Sequence, residues 1–395
     1  MKRIWSSEFL NKVAQERFLK AILYSLSTLI LAYNPDSQSR QTPFGCRIFV
    51  SLLQFLVSKM SKYTSFSGLT GAFWKSMIAL ILVLTHTKSL AQTTYYTRVA
   101  SGTWTTASTW STVSCSGAAA TSTPGTNDNV VICTGHTVAY DATSVTTIAN
   151  LTIQTSGTLT MNVNRNLLVN SVVIDGIVNG GSGGDIRVGN TAGSTISGTG
   201  SFNTTSNNTQ LRLLSNVTIV AGTDLKFNAN GRFHLNGLVA TNNGKITIGA
   251  NSTFAGGGTF VNNASTSYLL FSRSANWPNA TSLTATAIGN TVEYAAAGGT
   301  RLMDNQSNYY HLIISGGGTK RFRAANTNVR GNLTISNGVI LDTNTGTRTI
   351  NIAGNWVNNL GGTFSENTSL VTFNGSANNQ SLSPPAGGLV YAHIF

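Results

Sequence analysis

"ITIGANSTFAGGGTF" (residues 246–260) aligns without a gap to "INIAGNWVNNLGGTF" (350–364), 104 residues further on. Seven of the fifteen positions are identical: Ile246/Ile350, Ile248/Ile352, Asn251/Asn355 and the four of the shared GGTF. Each copy is a short apolar alternation, a polar turn with glycine, and then another apolar run, "YLLF" (268–271) or "LVTF" (370–373). Pairs such as Ile246/Ile248 and Ile350/Ile352 turn one face of a strand inward, because successive strand side chains point to opposite sides. A looser echo relates "TVEYAAAGGTRL" with "YYHLII" (291–302, 309–314) to "LVTFNGSANNQSL" with "VYAHIF" (370–382, 390–395). Repetition at variable spacing predicts stacked coils of unequal length, each burying the apolar face of the one before.

The same texture runs through everything after Ala91. Runs such as "NVVI" (129–132), "NLTIQ" (150–154), "LLVNSVVIDG" (167–176) and "NVTIV" (216–220) are separated by Gly, Asn, Ser and Thr. No stretch carries apolar residues at helical spacing over the length a helix needs. Only 6 prolines occur in 395 residues, so 40 glycines and the many asparagines must supply the positive-φ turns. The expected class is all-β, built of many short strands. Two architectures satisfy it. A right-handed parallel β-helix, a solenoid, stacks coils ~4.8 Å apart, with inward ladders of Val, Ile, Leu and Phe. The 39 asparagines of residues 92–395 could then bond their counterparts one coil away at the turns. At roughly 20–25 residues per coil, residues 129–395 make about 12 coils and a rod ~60 Å long. Tandem β-sandwiches are the alternative: the 104-residue offset suits their size, but no linker separates the copies. The β-helix is the expected fold.

The first 91 residues read differently. "WKSMIALILVLTHTKSLAQ" (74–92) has a lysine, an apolar core and small residues Ser89 and Ala91 before Gln92. Those are the three parts of a signal peptide, with cleavage between Ala91 and Gln92. Counted from Met60 the signal has an ordinary length of 32 residues, whereas from Met1 it has 91. Residues 1–59 are therefore read as an over-long gene start and 60–91 as the signal peptide, with a membrane-associated leader as the rival. The apolar runs 21–33 and 49–57 are shorter than the ~20 residues of a spanning helix, and no stable membrane span is expected in the mature chain. The leader also explains the charge. Of a net +13, residues 1–91 carry +8, which leaves +5 over the remaining 304 residues. The longest basic cluster there, "KRFR" (320–323), is expected to be a solvated strand or turn. Nucleic acid, which needs several cations on one face, is not an expected partner.

"GTWTTASTW" (102–110), "PGTNDNVVICTGHTVAYDA" (124–142) and "NLTIQTSGTLTM" (150–161) together resemble the opening of large bacterial surface proteins. There a tryptophan-pair and Pro-x-x-x-Asp segment, similar to a glycine-patterned extracellular domain, leads into a β-helix. "GNLTISNGVI", "IAGNWVNN" and "LVTFNGS" are similar to coils of adhesin-like proteins exported by the type IX route. The likeness spans roughly residues 97–395. It implies a secreted, extracellular or cell-surface protein, often adhesive, and supplies no catalytic residue.

Residues 92–145 are read as an opening, capping segment and 146–395 as the coils. Cys115 and Cys133 are the two cysteines after Ala91, and an even pair in an exported chain favours a disulfide over two buried thiols. Closing that loop would stabilise the fold by roughly 3 kcal/mol in the entropy model. Trp104 and Trp110 are either a cap on the apolar end of the first coil or a platform for glycan contact. "GGSGGDIRV" (180–188) nearly matches a calcium-binding nonapeptide, but Arg187 stands where a large apolar residue belongs, so a glycine-rich loop is expected. His136, His234 and His311 are read as surface or satisfied histidines. No metal or other cofactor is expected.

β-Helices also carry polysaccharide lyases and glycoside hydrolases, which is the alternative function. That chemistry needs two placed carboxylates, or a base with cationic help. The nine acids after Ala91 are Asp128, Asp141, Asp175, Asp185, Asp224, Glu293, Asp304, Asp342 and Glu366; only Asp175 and Asp185 lie as close as ten residues. The expectation is a non-enzyme: a secreted structural or adhesive β-helix making weak multivalent contacts with surface glycans or other cell-surface proteins. The last residues, "VYAHIF", are apolar and stop mid-pattern, so the sequence reads as truncated at its C-terminus.

Overall fold

Almost every strand pairs in parallel with the strands three places before and after it, which winds the chain into a three-sided solenoid. The computed structural model describes residues 92–181, 183–204, 209–376 and 380–383. All belong to one compact unit, Ser89–Phe395. The proposed leader and over-long start, residues 1–91, lie outside the described residues, as does the terminal "VYAHIF". Among the described residues the only helical element is a short 3-10 turn, Ala107–Thr109.

The second side of the solenoid is one continuous parallel sheet of 13 described strands, from Ser101–Thr103 to Leu382–Ser383. The first side has ten strands ending at Thr281–Thr284, then four more from Asn308–Tyr309 to Leu370–Phe373, joined by a single parallel bridge, Ala285 to Tyr309. The third has six strands up to Thr253–Ala255 and four from Thr300–Leu302. The stack amounts to about 11 turns. At about 4.8 Å per step, the 13 strands of the second side span roughly 58 Å. The coils are unequal, as the sequence implied: Ile177 sits over Thr158, 19 residues on, and Leu382 over Trp356, 26 residues on.

Alternation builds the core. Val138, Leu159, Val178, Phe202, Phe227, Ile248, Phe271, Tyr294, Ile314 and Ile335 stand directly over one another on the second side. None is more than 3% exposed. In the middle of the rod the ladder becomes an aromatic spine, with ring centroids 5.7 Å apart for Phe202–Phe227 and 5.2 Å for Phe227–Phe233. One coil lacks a strand on the third side. There Trp277 fills the gap, its ring 5.3 Å from Phe254 and 4.7 Å from Phe271. Its backbone N–H donates to Leu302 O at 3.0 Å and so ties it to the four-strand part of that side.

Asparagine ladders run as expected. Asn242 Nδ2 donates to Asn262 Oδ1 at 2.8 Å and Asn262 Nδ2 to Asn290 Oδ1 at 3.1 Å, all three buried. A half-buried column repeats the motif: Asn328 donates to Asn308 at 2.9 Å and Asn351 to Asn328 at 2.8 Å.

The aligned repeat, by contrast, is not one coil laid on another. Ile246 and Ile248 lie in Lys245–Ile248 on the second side, whereas Ile350 and Ile352 lie in Thr349–Ile352 on the first. The later parts of the two copies are displaced by one side as well. Each copy runs through three successive strands, and the two copies are out of phase by one side. Both copies turn a corner through a glycine in the left-handed region, Gly257 at φ 65° and Gly361 at φ 78°. The three sides make the same demand, two inward apolar residues and a sharp polar corner, so equivalent sequences serve any of them.

Candidate functional site

The opening segment closes one end of the stack. Thr94–Thr97 and Ser101–Thr103 already form strands of the first and second sides. The chain then doubles back, and Trp110–Ser111 pairs antiparallel with Thr94–Thr97. Trp104 and Trp110 are 2% and 0% exposed, 5.1 Å apart edge to face, and Trp110 Nε1 donates to Trp104 O at 2.9 Å. Trp104 also meets Tyr140 edge-on at 5.3 Å. Both indoles lie in the core, so neither ring offers a face on which a sugar could stack. Cys115 and Cys133 are joined in a disulfide, their Cα atoms 5.9 Å apart, which ties the excursion after Ser111 to the first-side strand Asn129–Ile132. Gln92 is exposed and donates to Asn129 Oδ1 at 3.1 Å; Ala91, the other half of the expected cleavage point, lies outside the described residues.

The charged feature that sequence reading missed lies on the third side. Arg187, the residue that spoils the calcium motif, stands beneath Arg212 in the parallel ladder, and Arg212 beneath His234. Arg232 is in the same strand as His234, one pleat away, over Gln210. Alternation explains the placement: Ile186, Leu211 and Phe233 go inward and are buried, so their neighbours point outward. Asp185 is the anion of this group, 5% exposed, with Oδ2 3.3 Å from Arg212 Nε and 3.6 Å from Arg187 Nε. Burial pushes its carboxyl above the usual range, against the pull of the two guanidiniums. Burial, then Arg212, Arg232 and Arg187, push His234 below its ordinary value. Arg273 is close enough to Arg232 to be depressed by it, after burial. The Nε atoms of Arg187, Arg212 and Arg232 and Nδ1 of His234 are buried without a hydrogen-bond partner. His234 is thus not the satisfied histidine expected, unlike His136, whose Nδ1 is 2.9 Å from Thr97 Oγ1, and His311, whose Nδ1 accepts from Asn332 N at 3.0 Å. The offsets of 25 and 22 residues in Arg187–Arg212–His234 are coil lengths, a signal visible only once the coils are known.

The "KRFR" cluster is not the solvated segment expected. Lys320 and Phe322 are 1% and 2% exposed; the Lys320 ammonium donates to Ala296 O at 2.8 Å and to Gly317 O. Burial, then Arg301, pushes Lys320 down to about 8. Arg321 Nε pairs with Asp342 at 2.7 Å, and Arg323 donates to Asn279 and Trp277 O. Strand alternation sent one cation of the run into the interior, where backbone carbonyls hold it.

The other acids are dispersed. Asp175 accepts from Thr199 N at 3.0 Å at a corner, away from Asp185 on the third side, so the closest pair in sequence is not brought together. Asp128 accepts from Gly125 N at 2.8 Å and Asp141 from Thr105 N at 2.9 Å. Asp224 lies 3.6 Å from Lys245 and 3.9 Å from Lys226. Glu293 accepts from Tyr268 and Ser315 on the outer second side. Asp304 is 2% exposed and takes the Tyr294 hydroxyl at 2.5 Å, that of Tyr309, and Gln306 N at 2.9 Å. Among the described residues no group of three or more His, Cys, Asp or Glu is placed to hold a metal ion. No described helix is long and apolar enough to cross a membrane.

The fold and its pinned opening define the class: an all-β parallel solenoid protein stapled by a disulfide, a bond that persists in oxidising surroundings. Residues 116–253 match the G8 domain family, a span that holds Cys133 and the third-side arginines 187, 212 and 232. No curated protein and no solved structure matches the chain. The G8 match, the solenoid and the disulfide together fit an extracellular β-helix protein.

Proposed function

We propose that this is an exported, cell-surface protein that acts without catalysis, as a structural or adhesive rod making weak multivalent contacts with glycans or neighbouring cell-surface proteins. The observation that carries the reading is the column. Outward positions recur at one coil spacing, as in Thr160, Asn179, Asn203 and Asn228 on the second side, so one contact is offered several times along the rod. Contacts too weak singly become effective when repeated on a rigid support. The non-catalytic reading draws on the acids, which are divided among arginines, lysines, tyrosines and turn N–H groups rather than facing one another across a groove.

The test is binding of the purified chain, displayed singly and as multimers, to a glycan array and to whole cells. Binding that strengthens steeply with multimeric display is expected. Uniform absence of binding in both formats would reduce the protein to a spacer and end the adhesive reading. Cleavage of any glycan in a panel of acidic and neutral substrates, abolished by changing one acid, would overturn the non-catalytic reading.

A further inference from the structure

We propose that the third side binds a linear acidic polysaccharide laid along the rod axis, with its carboxylate or sulfate groups on Arg187, Arg212 and Arg232, one per coil. The inference deepens the surface-contact reading and rests on it. Four guanidiniums, of Arg187, Arg212, Arg232 and Arg273, share this region with one carboxylate, Asp185. Parallel pairing fixes Arg187 over Arg212, and like charges directly opposite in a sheet are destabilising. The ladder cannot relax by moving the residues apart. The Nε atoms of Arg187 and Arg212 share the single carboxylate of Asp185, Arg232 Nε has no hydrogen-bond partner, and the Arg187 and Arg212 side chains remain 30% and 27% exposed. Asp185 offsets only one of these positive charges, and the repulsion that remains is a cost that an oxyanion bound at the exposed guanidinium ends relieves; arginine suits carboxylate and sulfate through its planar fork.

The direction of the column argues for a chain rather than a small anion. Arg187 and Arg212 are separated by one coil, about 4.8 Å, in strict register, and Arg232 follows on the next coil, two residues along the strand from the position over Arg212. The coil spacing is comparable to the length of one sugar unit. The neighbouring coils are uncharged at these positions, Leu168 beneath Arg187 and Thr253 over Arg232, which limits the site to a few sugars. Nucleic acid is the weaker candidate. Apart from the imidazole of His234, the outward residues Leu168, Arg187, Arg212, Arg232 and Ala255 offer no ring on which bases could stack.

The test uses the full chain against a carboxylated polysaccharide, a sulfated polysaccharide, a neutral polysaccharide and single-stranded DNA, over a range of salt. Wild type should bind the acidic polysaccharides, with affinity falling roughly as the second to third power of salt concentration, as for a few neutralised charges. The triple variant Arg187→Gln/Arg212→Gln/Arg232→Gln should lose at least tenfold for the acidic ligands and keep whatever affinity it has for the neutral one. Should that variant not fold, Arg232→Gln alone, which removes no hydrogen bond described in the structure, should still lose about threefold or more. Asp185→Asn removes the competing anion and should tighten acidic binding. Equal acidic binding by wild type and a folded triple variant overturns the proposal, as does tighter binding of DNA than of either acidic polysaccharide. Binding only to the neutral polysaccharide overturns it and leaves the surface-contact reading standing. No polysaccharide binding at all overturns the proposal and removes the glycan part of the surface-contact reading, leaving contacts with cell-surface proteins to the whole-cell assay.

Discussion

Asp304 sits in the interior just after Thr300–Leu302, the third-side strand that follows the skipped one, and the fold should be sensitive to its charge. Its carboxyl is enclosed by Tyr294 and Tyr309, which come from the inner faces of the second and first sides. Burial dominates and pushes the group from 3.8 up to about 6, in spite of the tyrosine hydroxyls, Gln306 N–H and Arg323, which favour the anion. A carboxyl that is harder to ionise when folded contributes stability below the unfolded value, and this is lost as pH rises through the folded one. The window is therefore about pH 4 to 6. A rise of that size, at ~1.4 kcal/mol per pH unit, amounts to about 3 kcal/mol. The perturbation is Asp304→Asn, neutral at every pH and close in shape. The assay is urea denaturation of both proteins at intervals from pH 3.5 to 7.5, with tryptophan fluorescence reporting on the neighbouring Trp277. Stability of wild type relative to the variant should fall by about 3 kcal/mol from pH 4 to pH 7 and then level off. A flat difference, or one that grows with pH, would refute the reasoning: Asp304 would then be held as a comfortable anion by its three donors.

Lys320 should act in the opposite range. Its buried ammonium, pushed down to about 8, means the folded chain holds fewer protons than the unfolded one above that pH, so stability should rise between about pH 8 and 10.5. Denaturation midpoints should show this rise in wild type and its loss in Lys320→Met. Phe227, wholly buried between Phe202 and Phe233, should cost about 3–5 kcal/mol on Phe227→Ala, read by the same denaturation. Asn262→Leu cuts the buried ladder between Asn242 and Asn290 and should cost on the order of 1–3 kcal/mol for each group left unpaired. Reducing the Cys115–Cys133 bond should loosen the opening segment by roughly 3 kcal/mol, seen as earlier proteolysis there with the later coils still protected.

Inward alternation was legible because apolar pairs two residues apart have few other uses in so polar a chain, and Ile246/Ile248 and Ile350/Ile352 are indeed core. The same simplicity hid the phase. Since each side obeys one rule, the GGTF repeat reads as a coil although its copies sit on different sides. The disulfide followed from counting two cysteines. The arginine group did not follow from anything local: Arg187, Arg212 and Arg232 are isolated in sequence and come together only because successive coils, unequal in length, stack them on one side. The "KRFR" run misled for the converse reason. Clustered charge suggests solvent, but strand alternation places every second residue inside whatever its type, and here backbone carbonyls accept the ammonium.

Parallel stacking, one coil per step, can be measured directly with spin labels. Lys226, Thr247, Leu270, Glu293, Ile313, Thr334 and Val357 form one outward column on the second side. With one label fixed at Lys226 and the other moved along the column, the distance should grow by about 4.8 Å per coil, reaching roughly 29 Å at Val357. Distances that rise linearly with coil number would establish the solenoid and the register of its side-chain columns. Distances that fail to grow along the series, or that return to a short value after about 100 residues as in repeated sandwiches, would contradict it.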